Sequence, residues 1–274
     1  MDFDLRFSIA VTFRVGLTFG GQYGDFGVEC QRRMRYKAAM KRVGMAAGLI
    51  LLACAGCSGP PGVEIPRHDT RNGPAGGFRM GRCEVTVREF ADYLNAERVA
   101  GYPGGAQIER RGGGRYAVRR GAGRQAVAEV TPAEAEAYCR WLSGRLGRTV
   151  RLPAEAEWEA AARGGVDGAP YPWGWGGNPA RLARFDAPGP APRAGVYPAN
   201  GFGLRDTAGN VYEWCAPASG DPLGVRAARG GAWPERDPSR LRVDRRQVFP
   251  ADYRGRDAGF RVLIEAKEPA GRVP

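Results

Sequence analysis

The second half of the chain restricts the possible folds more than any other feature of the sequence. Residues 166–274 are dense in Gly, Pro, Trp and Arg, and three brief runs there resemble β-strands: RAARGGAW (226–233), RLRVDRR (240–246) and GFRVLIE (259–265). Gly and Pro interrupt helices and strands, so such a region folds as ordered loops that internal contacts hold in place. We therefore expect a single α/β domain with few regular elements and long ordered loops.

The first half carries two strong helix-start signals. Thr86 and Thr131 stand as N-caps, and Glu89 and Glu134 follow three residues later as the acids of capping boxes. Pro132 takes the first helical position after Thr131, where an N–H has no partner within the helix. Two helices are therefore predicted, with apolar faces made of Phe90, Tyr93 and Leu94 in the first and of Ala135, Tyr138, Cys139 and Leu142 in the second.

Local patterns predict three further elements. The run AQIERRGGGRYAVRR (106–120) indicates a β-hairpin that turns at Gly112–Gly114. A third short helix begins at Pro153 and ends at Gly164 and Gly165. The remaining element is a short strand that leads into the first helix and carries Cys83, Val85 and Val87.

The segment that begins at Met40, MKRVGMAAGLILLACAGCSGPPG, has the shape of an export signal. Two basic residues follow the methionine, and the apolar stretch Val43–Ala53 is shorter than the roughly 20 residues that span a bilayer. The ending LLACAGCSG resembles a bacterial lipobox, which predicts lipidation of Cys57. Cys54 is the competing acceptor, and an uncleaved anchor or a plain secretion signal is the alternative. Lipidation would place the protein in the bacterial cell envelope, at the outer membrane or facing the periplasm.

This signal divides the chain into five parts. Residues 1–39 precede it, so we interpret them as a mis-called extension, with Met40 or Met34 as the true start. The five parts are then the extension 1–39, the lipoprotein signal peptide 40–57, a flexible Gly/Pro-rich tether 58–77, the domain 78–265 and a C-terminal tail 266–274.

The net charge of +12 does not indicate a nucleic-acid partner. Three of the 41 basic residues are lysines, and the arginines are scattered among Gly, Ala and Pro. This pattern is typical of a biased coding composition rather than of a patch that follows phosphates. No nucleic-acid partner is therefore expected.

Cysteine and histidine usage limits the possible metal sites. Cys83, Cys139 and Cys215 lie beyond the leader, and the sequence leaves their pairing open. Cys139 is interpreted as a packed core thiol because it lies on the apolar face of the second helix. No CxxC pair occurs beyond the leader, so a structural zinc site is not expected. The single histidine, His68, excludes a centre with several histidines.

Seven motifs occur in a fixed order: EVTVREF, AEAYCRWL, RLPAEAEWEAAARGG, YPWGWG, GFGLRDTAGNVYEW, ARGGAW and GFRVL. Together they resemble the formylglycine-generating enzyme family, also called the sulfatase-modifying factor family, from Phe78 to Leu263. The resemblance implies a C-type-lectin-like α/β fold. It does not imply one activity. Some members oxidise a sulfatase cysteine with copper held by two cysteines, others hold iron with three histidines, and many are lipoproteins or fused modules without demonstrated chemistry.

The cysteine pair that the resemblance implies for copper is missing. The family places it shortly before the final GFR, and the matching stretch Asp237–Arg246 contains no cysteine. Pro238 and Val243 stand about where the pair would be. Copper(I) favours thiolates, so copper is not expected, and neither is histidine-bound iron. The family disulfide from the AYC helix is missing as well, because Val262 follows Arg261.

The loop Gly203–Cys215 (GLRDTAGNVYEWC) is where the resemblance implies a structural calcium ion. The carboxylates of Asp206 and Glu213 and the backbone carbonyls of Gly209 and Val211 would bind it, since calcium takes several oxygen ligands from a bent loop. The alternative interpretation is a turn in which Asp206 caps backbone amides and Glu213 pairs with an arginine.

Arginines and tryptophans supply the candidate contacts for a partner. Arg242, Arg245 and Arg246 near Asp244 could clamp a carboxylate or a sulfate, because guanidinium groups offer forked donors. The alternative is that these arginines tie loops together by salt bridges. Aromatic candidates for a peptide groove like that of the family are Trp233, Trp173 and Trp175.

Three functions are compatible with the sequence. The missing copper thiols favour a binding or scaffolding lipoprotein, which recognises a protein or peptide in the envelope and is held to the membrane by an N-terminal lipid. The alternative is a formylglycine-generating-type oxidoreductase with an unrecognised metal site. A glycan-binding lectin is the third.

Overall fold

Short strands and three longer helices make up the regular part of the fold. The computed structural model describes residues 62–66, 68–70, 73–75, 77–187, 189 and 193–266, which all lie in one compact unit. The helices are α1 (Val87–Ala96), α2 (Pro132–Leu146), α3 (Glu155–Arg163) and the single turn α4 (Pro179–Leu182). The strands are β1 (Val63–Ile65), β2 (His68–Thr70), β3 (Gly73–Ala75), β4 (Phe78–Met80), β5 (Ile108–Arg111), β6 (Arg115–Val118), β7 (Val150–Arg151), β8 (Tyr212–Trp214), β9 (Val225–Arg229), β10 (Gln247–Pro250), β11 (Ala258–Gly259) and β12 (Leu263–Ile264).

Two four-stranded sheets are linked by the C-terminal motif of the domain. The first sheet has the antiparallel order β1–β4–β12–β7, in which Leu263 pairs with Met80 on one side and Arg151 on the other. The second has the order β10–β9–β8–β11, and β11 runs parallel to β8. The chain passes directly from β11 in one sheet to β12 in the other, so Phe260 and Arg261 lie at their junction.

The helix-start signals are confirmed. The side chain of Thr86 accepts from the amide of Glu89 while Glu89 accepts from the amide of Thr86, and Thr131 and Glu134 repeat this arrangement at α2. Gly147 caps the C-terminus of α2 and has the left-handed φ of 60° that favours glycine at this position. The hairpin is also confirmed, with β5 and β6 joined through a 3₁₀ turn at Gly112–Gly114.

An aromatic cluster holds α1 and α2 against the C-terminal motif. The rings of Phe90 in α1 and Tyr138 in α2 lie 6.0 Å apart, and Phe260 contacts both at 6.2 and 5.4 Å between ring centroids. Phe90 and Phe260 are completely buried. Such offset and edge-on ring contacts stabilise a core beyond the burial of apolar area. The apolar faces predicted for α1 and α2 are thus the ones that pack, although Leu142 is only half-buried.

Two predicted strands are wrong. Val87 is the first residue of α1, so Cys83 and Val85 lie in an extended connection rather than in a strand, and the strand of this region is β4. Val85 bonds through its backbone to Phe260 and Val127. The stretch RLRVDRR begins within the 3₁₀ turn Pro238–Leu241, which the side chain of Asp237 caps, and it contains no strand. Pro238, which has no N–H, is the first residue of this turn and favours it over a strand.

The ordered sheet begins before the predicted domain start at Phe78. β1 pairs with β4 in the register Val63 to Met80, so part of the segment interpreted as a tether belongs to the first sheet. The predictions for 1–39, for the signal peptide 40–57 with Cys54 and Cys57, and for the end of the tail fall outside the described residues. Within the described ranges, no helix has the length and apolarity needed to cross a membrane.

Candidate functional site

The loop Gly203–Cys215 ends in a completely buried ion pair. Both oxygens of Glu213 accept from Arg261, with Nε–Oε2 at 2.5 Å and Nη2–Oε1 at 2.6 Å. The indole Nε1 of Trp158 donates to Oε2 of Glu213 at 2.6 Å. Both charged side chains have zero exposure. Since a buried charge is stable only when it is paired and hydrogen-bonded, this contact fixes the loop to the GFR motif and to α3.

Asp206 caps the backbone of a neighbouring loop. Its carboxylate accepts from the amides of Gly195, Val196 and Tyr197, the last two at 3.3 and 3.1 Å. Burial raises the pKa of Asp206, and the three amide hydrogen bonds oppose that shift by stabilising the charged form. Its backbone has a φ of 55°, which is unusual for a residue with a side chain.

Glu84 adds a third buried carboxyl group, which the sequence did not single out. Its Oε1 accepts from Nδ2 of Asn210 at 2.8 Å, whereas Oε2 of Glu84 and Oδ1 of Asn210 are buried without a hydrogen-bond partner. Burial and the nearby charge of Asp206 raise the pKa of Glu84 well above its usual range. Three carboxyl groups thus lie around Arg261, and Glu84 is the one whose charge is least compensated. The only sequence feature that could have pointed to Glu84 is its position in the motif EVTVREF.

The predicted calcium ligands Asp206, Gly209, Val211 and Glu213 do lie on one bent loop, but their carboxylates do not fit a calcium ion as arranged. All four carboxylate oxygens already accept hydrogen bonds from amides, an indole or a guanidinium. Gly209 allows the backbone at Arg184 to approach this loop closely, because a Cβ at Gly209 would lie 2.1 Å from the carbonyl oxygen of Arg184. Among the described residues, no group of three or more His, Cys, Asp or Glu is placed to hold a metal ion. Binding of calcium at this loop would require Glu213 to leave Arg261.

The thiols of the domain are buried or bonded. Cys139 and Cys215 are free and buried, and Cys83 is in a disulfide, so no two of these three pair with each other. Burial raises the pKa of Cys139 to about 12 and that of Cys215 further still. Because a thiolate is both the nucleophile and the copper(I) ligand, neither thiol is prepared for either role.

The two positions expected for the copper cysteines have structural roles. Pro238 opens the 3₁₀ turn, and Val243 is completely buried. Val243 packs in a cluster with Trp158, Ala162 and Cys215. The residues at these positions thus support the loop core and offer no metal ligand.

The three arginines Arg242, Arg245 and Arg246 do not converge on one anion. Nε and Nη2 of Arg242 donate to the two carboxylate oxygens of Asp244 at 2.9 and 2.6 Å. Nε of Arg246 donates to Glu155 at 2.8 Å, and its Nη2 donates to Asp221. Arg245 is exposed and has no side-chain hydrogen bond within the described ranges. Arg246 therefore ties separate parts of the chain together, as in the alternative interpretation, whereas Arg242 is paired within its own turn.

Trp233 lies in a surface cavity of about 370 Å³, which we call the Trp233 cavity. The amide of Trp233 donates to the carbonyl of Asn210 at 2.9 Å, so the buried loop positions the indole. Glu129 stands at the rim with φ of 57°, accepts from the amide of Ala106 at 2.6 Å and pairs with Arg256 at 3.4 Å. The other residues that line the cavity are mostly small and apolar, so the cavity suits an apolar side chain of a bound ligand. The lining residues are Ala106, Gln107, Ala128, Glu129, Gly189, Trp233 and Arg256.

The other two candidate tryptophans do not line this cavity. Trp173 stacks on Tyr171 with 5.0 Å between ring centroids, and Trp175 is 67% exposed. Nothing in the sequence pattern pointed to Glu129, because its role depends on a backbone conformation that a lone Glu does not signal.

Comparison with known proteins assigns the family. The profile of the sulfatase-modifying factor enzyme 1-like domain matches residues 38–266, which is most of the chain. The chain belongs to the sulfatase-modifying factor family. The resemblance seen in the motifs is thereby confirmed.

Individual relatives in this family include active and inactive proteins. The inactive C-alpha-formylglycine-generating enzyme 2 of Bos taurus is 35% identical over 157 residues, covering 51% of this chain and 50% of the relative. The formylglycine-generating enzyme of Thermomonospora curvata is 36% identical over 167 residues, covering 48% of this chain and 53% of the relative. The chain thus spans about half the length of the curated relatives it matches.

Solved structures confirm the predicted fold class. PvdO from Pseudomonas aeruginosa superposes with a TM-score of 0.57 at 30% identity, covering 70% of this chain and 81% of PvdO. Treponema denticola variable protein 1 has a TM-score of 0.56 at 21% identity, covering 75% of this chain and 93% of that protein, which supports the fold alone. The chain therefore has the α/β fold of the sulfatase-modifying factor family, a single domain with few regular elements and long loops.

Proposed function

We propose that this chain is a non-catalytic member of the sulfatase-modifying factor family that binds a protein or peptide at the Trp233 cavity. The observation that carries the proposal is the stretch Asp237–Arg246, where buried Val243 and the turn at Pro238 occupy the positions expected for copper thiolates. The free thiols of the described domain, Cys139 and Cys215, are both buried, and burial raises their pKa values, which disfavours the thiolate form that copper(I) binds. Similarity to the inactive C-alpha-formylglycine-generating enzyme 2 of Bos taurus supports the same view.

The second candidate function is a formylglycine-generating-type oxidase. Similarity to the formylglycine-generating enzyme of Thermomonospora curvata favours it. Such an oxidase would have to use a metal site of unfamiliar composition, because the described residues contain no cluster of His, Cys, Asp or Glu of that kind. Fold and ancestry alone do not decide between the two candidates, since activity depends on the site.

One assay separates them. The full chain is incubated with a Cys-x-Pro-x-Arg peptide, copper and oxygen, and the peptide is analysed by mass spectrometry. The enzyme of Thermomonospora curvata serves as the positive control. We expect no conversion of the cysteine to an aldehyde from protein that circular dichroism shows to be folded. Conversion above the level of copper alone would overturn the non-catalytic proposal.

We further propose that the domain is tethered to the bacterial envelope through a lipid on Cys57. The support is the lipobox-like sequence LLACAGCSG, which lies outside the described residues. Labelling in cells with a radioactive fatty acid should mark the wild type and the Cys54→Ala variant but not Cys57→Ala. Label that persists in Cys57→Ala and disappears in Cys54→Ala would move the lipid to Cys54, and no label in the wild type would exclude lipidation.

A further inference from the structure

The arginine-rich hairpin β5–β6 extends directly from the Trp233 cavity. Ala106 and Gln107 line the cavity and lead without interruption into β5. At the base of the hairpin, Arg119 donates from its amide to the carbonyl of Gln107 at 3.0 Å and from Nε to the carbonyl of Gly105 at 3.2 Å. A ligand that leaves the cavity on this side therefore meets the hairpin next.

The hairpin carries a concentrated positive charge. The segment Ile108–Arg124, IERRGGGRYAVRRGAGR, holds a single acidic residue, Glu109. Its three-glycine turn, Gly112–Gly114, has no side chains that would keep a partner at a distance. The exposed arginines of this segment are Arg110, Arg111, Arg115, Arg119, Arg120 and Arg124.

These arginines lack the carboxylate partners that arginines have in the loop core. Arg229, Arg246 and Arg254 each pair with glutamates at 3.2 Å or less. In the hairpin the shortest ion pair between described residues is Arg111 to Glu109 at 3.8 Å, with both side chains largely exposed. The unpaired set in the described part of the hairpin consists of Arg110, Arg115, Arg120 and Arg124.

The register of the hairpin adds an electrostatic cost that an anion would relieve. Arg111 lies directly opposite Arg115 across the two strands. Like charges in directly opposed positions destabilise a β-ladder. A carboxylate placed over this pair would accept from both guanidinium groups and turn the repulsion into attraction.

We propose that the partner is an acidic polypeptide segment with one large apolar side chain. This inference rests on the proposed binding function. The apolar side chain enters the Trp233 cavity, and neighbouring Asp or Glu side chains pair with the arginines of the hairpin. Such a partner differs from a Cys-x-Pro-x-Arg peptide, whose arginine the hairpin repels.

The shape of the surface favours a polypeptide over a membrane or a nucleic acid. A flat membrane does not enter a concave cavity, and the exposed large apolar residues of the described chain lie elsewhere than the hairpin. A nucleic acid would gain from aromatic faces among the arginines, but the hairpin's Tyr116 is buried, with its hydroxyl within hydrogen-bond distance of the carbonyl oxygens of Val99 and Tyr102. An extended acidic chain needs neither feature.

The test measures binding of labelled synthetic peptides to the full chain by fluorescence anisotropy. Four peptides are compared: Glu-rich with one central Phe, Glu-rich with Ala in its place, Lys-rich with Phe, and Cys-x-Pro-x-Arg. We expect the first to bind, the second to bind roughly tenfold more weakly, and the last two not to bind. Raising the salt concentration should weaken binding of the first peptide.

Amino-acid substitutions test the roles of the hairpin and of the Trp233 cavity separately. Arg111→Glu with Arg115→Glu should reduce affinity for the acidic peptide at least roughly tenfold. The matched control, Arg140→Glu with Arg181→Glu, makes the same change of charge at exposed arginines away from the hairpin and should bind like the wild type. Trp233→Ala should weaken binding but keep the salt dependence, whereas Trp175→Ala should have no effect.

Each other outcome overturns the inference in a distinguishable way. Binding of the Lys-rich or Cys-x-Pro-x-Arg peptide that Trp233→Ala abolishes would keep the proposed function but refute an acidic partner. Binding only to anionic phospholipid vesicles, lost in Arg111→Glu with Arg115→Glu, would make the hairpin a membrane contact. Absence of binding to every peptide by folded protein would refute the inference, and oxidation of the Cys-x-Pro-x-Arg peptide would refute the non-catalytic proposal itself.

Discussion

Glu213 and Arg261 form a two-point ion pair in which neither side chain has any solvent exposure. The remaining donors of Arg261 reach the carbonyls of Gly81, Arg82 and Arg205 at 2.9 to 3.3 Å. One guanidinium therefore connects the stretch Gly81–Arg82 and the carbonyl of Arg205 to Glu213 near the end of the loop. This is how a domain with so few regular elements keeps its long loops in place.

Replacing Glu213 by Gln should strongly destabilise the protein. The variant keeps the shape of the side chain but leaves the buried charge of Arg261 without its counter-ion, and breaking a buried pair in this way costs about 3–5 kcal/mol. Urea unfolding followed by tryptophan fluorescence measures the change in free energy of unfolding. The matched control is Asp244→Asn, which breaks the pair with Arg242, where both side chains are 42% exposed, and should cost at most about 1 kcal/mol. Equal losses of unfolding free energy in the two variants would show that burial does not make the Glu213–Arg261 pair contribute more to stability than the exposed pair.

Glu84 should make the stability depend on pH. Burial and the charges of Asp206 and Glu213 raise its pKa, and the charge of Arg261 opposes this only in part. The folded state then binds more protons than the unfolded state, so Glu84 lowers the stability progressively as the pH rises above the usual pKa of 4.5. Glu84→Gln imitates the protonated form and should remove this loss.

Urea unfolding of the wild type and of Glu84→Gln at several pH values tests this sign. The free energy of unfolding of the variant, minus that of the wild type, should grow from about pH 4.5 to about pH 8. Taking the difference cancels the titration of Asp206 and other shared groups. A constant or shrinking difference would mean that Glu84 is charged in the folded protein at every pH of the series.

Calcium should leave the melting temperature of the protein unchanged. Glu213 is held by Arg261 and Trp158, and Asp206 is held by three backbone amides, so a calcium ion would have to displace several hydrogen bonds to gain its ligands. Thermal unfolding with millimolar calcium, compared with millimolar magnesium and with a chelator, measures the effect. A stabilisation specific to calcium that is lost in Asp206→Asn would show that the loop rearranges to bind the ion.

The sequence predicted those parts of the fold that depend on local interactions. Thr86 with Glu89 and Thr131 with Glu134 determine where α1 and α2 begin, because each cap satisfies backbone amides within the first turn. The family motifs predicted the loop architecture as a whole. By contrast, the strand that was expected to include Val87 was wrong, because the capping box at Thr86 outweighs the β-propensity of the valines around it.

The site depends on long-range contacts, and these were only partly predictable. The interpretation of Glu213 as the partner of an arginine could be made from the sequence, but 48 residues separate it from Arg261, and no local pattern selects this arginine among so many. Glu84 reaches Asn210 across 126 residues. The cavity at Trp233 likewise combines residues from both halves of the chain, so its shape follows only from the tertiary structure.

The thiols of Cys139 and Cys215 should be inert in the native protein. Both are buried, and a pKa of about 12 for Cys139 leaves about one molecule in ten thousand as thiolate at pH 8. Iodoacetamide treatment followed by mass spectrometry of the peptides that contain each cysteine measures their reactivity. We expect no alkylation of either peptide in buffer and complete alkylation of both in guanidinium chloride. Rapid alkylation of Cys215 in buffer would show that its surroundings open to solvent, and it would restore a thiol to the reach of copper beside Val243.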